Sequence, residues 1–245
     1  FFSTPPPPPP ILSGLVGSEM CIRDRIKGVI FDMDGTIVDS IPYHYEAWKK
    51  FFNEKKIPNF SKKLDSFKDK GGSTLDFMRS IYGNLHSKKE LKKIIEEKEI
   101  VFRRISKGKI KPISGFIEFL DFIKSKNILV GLASNAIRKN VSMILNELEI
   151  YDHFDSIICG DEVINGKPNP EMFNESIDRF KISKNDCLIF EDSIEGVEGA
   201  INSGIKAIGV TSSYSNKILI NSGAIETIEN YVNINNKLKK IGLSF

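Results

Sequence analysis

The stretch VIFDMDGTIVDS, residues 29–40, begins as a buried strand and ends among acids. Val29 to Phe31 are apolar, yet Asp32, Asp34 and Asp39 follow within a few positions. Such a run is either a solvated turn or a place where a cation and a phosphorylated ligand are held together. Alone, Asp34–Gly35 reads as a turn and Asp32 as an acid that ends a strand in water. The choice depends on what the rest of the chain brings to the same edge.

From Ile26 onward, short apolar runs alternate with helical periods. GVIF (28–31), ILVGLA (128–133), SIIC (156–159), CLIF (187–190) and AIGV (207–210) read as strands. Ile137, Val141, Ile144, Leu145 and Leu148 recur at helical spacing, as do Phe116, Phe119, Leu120 and Ile123. Strands apolar on both faces and separated by single helices predict a parallel sheet covered on both sides. The expected class is α/β, a doubly wound, Rossmann-like core. One connection breaks the rhythm, because residues 41–108 read as helical and lie between the first two strands. Pro42 starts the first of these helices, with Tyr43, Ala47, Trp48 and Phe51 on its apolar face. SKKELKKIIEEKEIVFRRI (87–105) is a later one, and Ser87 with Glu90 forms a plausible capping box. The expected organisation is a core of residues 26–40 and 109–245, with a small helical domain of residues 41–108 inserted.

Composition bounds the rest. The chain has 245 residues, 40% hydrophobic and 27% charged, with a formal net charge of +3. That is an ordinary globular composition. Dispersed lysines and so small a charge argue against a nucleic-acid partner. No apolar run approaches the roughly 20 residues that cross a bilayer, so no membrane association is expected. The first 25 residues, FFSTPPPPPPILSGLVGSEMCIRDR, have no structural period, and their second half resembles translated sequencing-adapter read-through. They are expected to be a non-native or disordered leader. Cys159 and Cys187 lie in apolar runs without disulfide or zinc spacing, which fits a cytoplasmic location.

In doubly wound sheets, ligands bind beyond the carboxyl ends of the strands. Asp32 and Asp34 fall at that edge, and Gly35 permits a tight backbone path. Ser134 follows the second strand, Lys167 lies in GKPNPEMF, and Glu191 and Asp192 follow CLIF. Each has an ordinary reading alone: Asp192 as a helix N-cap with Glu195 three residues on, Ser134 and Asn135 as caps, Lys167 as a surface lysine. Their convergence on one edge is what points to catalysis.

DMDGTIVDS, LASN, GKPNPEMF and FEDSIEGVEGA resemble, in order, the four motifs of the haloacid dehalogenase superfamily. The helical insertion resembles that family's first type of cap, and the resemblance covers residues 26–245. It implies that Asp32 attacks phosphorus to give an aspartyl-phosphate. An aspartate, with an unperturbed pKa near 3.9, needs no base for this. Asp34 then acts as acid and base. Mg²⁺ would be held by Asp32, Glu191, Asp192 and the backbone carbonyl of Asp34. Lys167 supplies fixed positive charge, and Ser134 donates to a phosphoryl oxygen.

Dehalogenases of the superfamily lack the second acid, so phosphoryl chemistry is the expectation. No lysine of the insertion is marked for the Schiff-base chemistry of phosphonate hydrolysis. DSIPYHYEAW (39–48) is similar to the β-phosphoglucomutase-like branch, in which the histidine, here His44, positions the acid/base. Trp48 lies one turn on and is a candidate substrate contact. KDKGGSTLDF (68–77) resembles that branch's substrate-specificity loop and makes Lys70, Gly71, Gly72 and Ser73 candidate substrate contacts, with Asn135 and Arg138 from the core. The mutases carry an arginine just after the glycine; Ser73 or Thr74 stands there. A bisphosphate must be gripped at both ends, so a phosphatase acting on a small phosphorylated metabolite, as a monomer, is the first expectation. A mutase in which Lys70 or Arg138 replaces the arginine is the second, and a non-catalytic phosphometabolite-binding module the third.

Overall fold

The computed structural model describes residues 24–58, 60–70 and 74–245, apart from the side chains at 24, 25, 67–70 and 84. Six parallel strands form the central sheet in the order β4-β3-β2-β5-β6-β7. They are β2 (Gly28–Phe31), β3 (Leu129–Ser134), β4 (Ser156–Cys159), β5 (Cys187–Glu191), β6 (Lys206–Val210) and β7 (Glu226–Ile228). The five strands expected from sequence are all present, within one residue at their ends. β7 was not anticipated, since three residues, two of them half-buried, leave too little pattern to read. A separate pair of two-residue strands, β1 (Asp24–Arg25) and β8 (Leu243–Ser244), joins the start of the described chain to its end. Asp24 and Arg25, expected within the leader, pair instead with the end of the fold; residues 1–23 lie outside the described residues.

Alternating strand positions explain why the runs are apolar throughout. Val29 and Phe31 enter one buried cluster and Ile30 the other; Leu188 and Phe190 likewise oppose Cys187 and Ile189. Helices α5 (Phe116–Ser125), α6 (Arg138–Glu147) and α10 (Ile234–Lys240) cover the first face. Helices α7 (Glu171–Phe180), α8 (Ile194–Ser203) and α9 (Asn216–Asn221) cover the second. Each fully buried Phe, Leu or Ile adds about 1.5–3 kcal/mol to this core. Phe31 stacks on Phe190 at 5.2 Å and meets Phe116 edge-on at 5.3 Å, directly beneath the end of β2.

The connection from β2 to β3 carries α1 (Ile41–Glu54), α2 (Phe60–Lys70), α3 (Thr74–Tyr82) and α4 (Lys88–Ser106) before α5. Pro42 sits in the first turn of α1, where a missing N–H costs nothing. The capping box at α4 is present: Glu90 N donates to Ser87 Oγ, and Ser87 N to the Glu90 carboxylate at 2.7 Å. Trp48 stacks on Phe52 at 5.1 Å and meets Phe77 at 5.3 Å, giving these helices an aromatic centre of their own. Among the described residues, no helix is long and apolar enough to cross a membrane.

The chain leaves β2, builds outward through β3 and β4, then returns to place β5 on the other side of β2. The switch point therefore lies between β2 and β5. Asp32 follows one of these strands, Glu191 ends the other, and Asp192 comes next.

Candidate active site

Three buried carboxylates, Asp32, Glu191 and Asp192, each bring an oxygen within 4.8 Å of the others at this switch point. Asp32 is fixed by its own N–H, which donates to Phe190 O at 3.0 Å and so extends the β2–β5 ladder. Glu191 lies at the N-terminus of α8, where its Oε2 accepts from Asp192 N at 3.1 Å, Ser193 N at 3.3 Å and Ser193 Oγ at 2.9 Å. Unpaired N–H groups and the helix dipole favour an anion there. A Cβ at Gly196 would overlap the Glu191 carboxylate, which explains the glycine. The cap of α8 is Ser193, whose Oγ accepts from Gly196 N at 3.0 Å. Asp192, expected as that cap, instead turns back toward the acids.

Lys167 is the counter-charge. It is buried, and its ammonium donates to Asp32 Oδ1 at 2.7 Å and to Glu191 Oε1. Its backbone N–H donates to Asn135 Oδ1 at 3.0 Å, so Asn135 anchors the GKPNP loop rather than capping α6. Burial alone would depress the lysine, but Asp32 and Glu191 outweigh it and push its pKa above the usual value. One lysine does not balance three acids. Burial, aided by Glu191, Asp192 and Asp34 against Lys167, raises Asp32 well above the carboxylate range. Burial and the Glu191 charge push Asp192 up to about 7. The site is thus short of positive charge, and its all-oxygen donors suit a hard divalent cation.

Asp34 differs. Burial acts to raise it, but the pull of the His44 ring, hydrogen bonds from His44 and Ser40, and the Lys98 charge outweigh burial and lower its pKa. Ser40 Oγ donates to Asp34 Oδ1 at 2.5 Å, and His44 Nε2 lies 3.3 Å from the same oxygen. Ser40 occupies the N-cap position of α1 without capping it, because its hydroxyl is engaged by Asp34. The other imidazole nitrogen, Nδ1, lies 2.9 Å from Lys98 Nζ. An ammonium only donates, so Nδ1 accepts and the ring proton sits on Nε2, facing Asp34. Phe102, stacked on the imidazole at 3.8 Å, keeps the ring in that plane.

Several of these groups escaped the sequence reading. Ser212 Oγ donates to Gly35 O at 2.5 Å, and Ser213 Oγ donates to Asp192 Oδ2. Tyr231 Oη donates to Thr36 O at 3.1 Å. All three come from the segment after β6, in TSSYS and ENYV, which carry no periodic signal. Gly35 takes a φ of +79°, and a Cβ there would run into the Asp192 carboxylate, so the expected tight path is present. Ser134 is buried at the end of β3; its Oγ accepts from Ala136 N at 3.2 Å, leaving the hydroxyl hydrogen to donate.

Other expected contacts are placed elsewhere. Trp48 is 7% exposed within the aromatic centre of the inserted helices, and its face is covered by Lys98 Nζ at 4.7 Å, so packing rather than ligand contact accounts for it. Arg138 holds Glu162 through Nε at 2.7 Å and Nη2 at 2.5 Å, and also donates to Ile157 O, which leaves its guanidinium committed to the β4 side. The backbone of Lys70 ends α2, but its side chain, and all of Gly71, Gly72 and Ser73, lie outside the described residues.

With this geometry in view, the family model for haloacid dehalogenase-like hydrolases matches residues 29–210. The chain belongs to that family. It is 30% identical over 209 residues to the phosphorylated carbohydrates phosphatase of Thermotoga maritima, covering 83% of this chain and 94% of that protein. It is 31% identical over 193 residues to the β-phosphoglucomutase of Bacillus subtilis, covering 76% and 83%. A family IA, variant 3 hydrolase from Entamoeba histolytica superposes with a TM-score of 0.76 at 26% identity, over 86% of this chain and 96% of that one.

Proposed function

We propose that the protein is a Mg²⁺-dependent phosphatase that hydrolyses a small phosphorylated metabolite, a sugar phosphate, through an aspartyl-phosphate on Asp32. The observation that carries this reading is the second acid: Asp34, two residues beyond the nucleophile, is half-buried and held by Ser40 and His44 apart from the Asp32–Glu191–Asp192 cluster. Asp32, Glu191 and Asp192, with the Asp34 carbonyl, would hold the cation. When bound, Mg²⁺ supplies the charge cancellation that lets an anionic carboxylate meet an anionic phosphate.

Asp32 Oδ forms a bond to phosphorus as the bond from phosphorus to the leaving oxygen breaks. Asp34 in its acid form gives that oxygen its proton. In the second step the Asp34 carboxylate takes a proton from water, the water oxygen bonds phosphorus, and the bond to Asp32 breaks, releasing inorganic phosphate. The arrangement around Asp34 favours the carboxylate, the form this second step uses. Ser134 and Lys167 meet the phosphoryl oxygens, and Lys167 holds Asp32 in line. The helices of residues 41–108 act as a cap that excludes bulk water.

A sugar phosphomutase is the second reading, and the B. subtilis relative favours it. The engagement of Arg138 with Glu162 weighs against it, since that guanidinium is then unable to grip a second phosphate. The deciding assay supplies β-glucose 1-phosphate, Mg²⁺ and a trace of the 1,6-bisphosphate, and follows glucose 6-phosphate and free phosphate together. Free phosphate without glucose 6-phosphate is expected. Accumulating glucose 6-phosphate would establish the mutase, and bound sugar phosphate with neither product would mean a binding module.

Two further outcomes follow from the charge balance. Mg²⁺ at about 100 times its Kd stabilises the fold by about 2.7 kcal/mol over the EDTA-treated protein. For a chain of this size that is a rise in Tm of about 5–11 °C. An unchanged Tm would argue against the acid cluster as a metal site. Ser213→Ala frees Asp192 to rotate and raises the half-saturating Mg²⁺ concentration about 10–100-fold, with little change in kcat at saturation; an unaltered Mg²⁺ titration would remove Ser213 from this role.

A further inference from the structure

Helix α4 buries two adjacent charges, Lys98 and Glu99, and α6 buries an amide, Asn140, each at most 8% exposed. Burying charge is costly unless every partner is in place, and apolar residues would give α4 a simpler seat. Here the partners are in place. Lys98 Nζ donates to Glu99 Oε1 at 2.7 Å, and Asn140 Nδ2 donates to Glu99 Oε2 at 2.7 Å. Arg103, one turn along α4, donates through Nη1 to Asn140 Oδ1 at 2.6 Å. The amide is thereby fixed in orientation, since a guanidinium offers only donors and a carboxylate only acceptors.

The polar chain thus runs from α6 to α4 to α1 and back to the core: Asn140, Glu99, Lys98, His44, Asp34. It crosses between the inserted helices and the core twice, once at each end. We propose that Asn140 is a positioning residue for Asp34: when α4 is seated on α6, Asn140 fixes Glu99, which fixes Lys98, which holds His44 in the tautomer that donates to Asp34. The inference rests on the assignment of Asp34 as acid and base. Seating of the cap and readiness of the acid/base are then one event. An unseated α4 loses the Asn140 contact, lets Glu99 and Lys98 swing, and frees the imidazole to exchange tautomers.

The test is Asn140→Ala, with Asn140→Ser as the milder variant should the first unfold, each checked by thermal melting. Turnover of p-nitrophenyl phosphate with saturating Mg²⁺ is expected to fall about 10-fold in kcat, with KM within about twofold. In a His44→Ala background the same substitution is expected to change kcat less than about twofold, because the link it acts through is already gone. Independently of turnover, ¹⁵N-labelled histidine spectra, assigned with a His44→Gln variant, should show Nε2 protonated and Nδ1 bare in the parent and averaged nitrogens in the Asn140 variants. A full kcat, an equal loss with and without His44, or an unchanged His44 nitrogen pattern would each overturn the proposal. A parent that turns over no phosphate ester at all would instead count against the proposed function, leaving the nitrogen spectra to judge Asn140.

Discussion

Asp32→Asn is expected to abolish turnover, by about 10⁴-fold or more, while leaving the protein folded and more heat-stable when metal-free. The loss follows because the amide is not an anionic nucleophile and no neighbour replaces it. The stability gain follows from the sign of the pKa shift. Burial and three other acids raise Asp32 above its unfolded value, against the pull of Lys167, so its ionised form is disfavoured in the fold. At neutral pH that charge subtracts from stability, and the neutral isostere removes the penalty. Lys167 keeps Glu191 as a partner. Activity assays and paired melting curves with EDTA and with Mg²⁺ check both halves. The Mg²⁺-induced rise in Tm should also shrink, since one ligand is lost. Retained Mg²⁺-dependent turnover would remove Asp32 from the reaction.

Lys167→Met has the second large effect, and it acts on stability as much as on rate. The ammonium is the one cation in direct contact with the Asp32–Glu191 pair among the described residues, and its removal leaves buried acids facing one another. Breaking such a pair costs about 3–5 kcal/mol, read from the urea midpoint of the EDTA-treated protein. Saturating Mg²⁺ should restore part of that loss, because a cation then stands among the same oxygens. The turnover lost, at least about 100-fold, should not return, since the cation does not take the place of Lys167 at the phosphoryl oxygens. A variant as stable as the parent without metal would mean that the acids are not ionised together.

The fold was legible where local pattern and tertiary role coincide. Strands such as Gly28–Phe31 are buried on both faces and read as unbroken apolar runs, and the Ser87–Glu90 box announces α4. The edge strand Glu226–Ile228 was not legible, being short and half-exposed. The same division holds in the site. Asp32, Asp34, Lys167, Glu191 and Asp192 sit in the strand ends and loops where a doubly wound sheet must put them, so their convergence was readable. Ser40 carries no signal of its own in the sequence, and only its distance to Asp34 shows what its hydroxyl does. Ser212, Ser213 and Tyr231 reach the site across 177, 21 and 195 residues of chain to their partners, separations that no local pattern encodes. Lys98 and Glu99 read as two more charges in a lysine- and glutamate-rich helix; their burial depends on α1 and α6. Trp48 misled in the opposite direction, since an aromatic one turn from His44 suggests a ligand contact until its neighbours Phe52 and Phe77 are seen.

The central claim is that phosphorus is carried on Asp32, and trapping the adduct tests it most directly. The protein, Mg²⁺ and a turned-over phosphate ester are mixed, quenched in acid within the first turnover, digested with pepsin at low pH and analysed by mass spectrometry. A phosphoryl group on the peptide bearing Asp32, formed before free phosphate and discharged in a chase, is the predicted result. Turnover with no protein-bound phosphoryl group, or with one carried on another residue, would contradict the account.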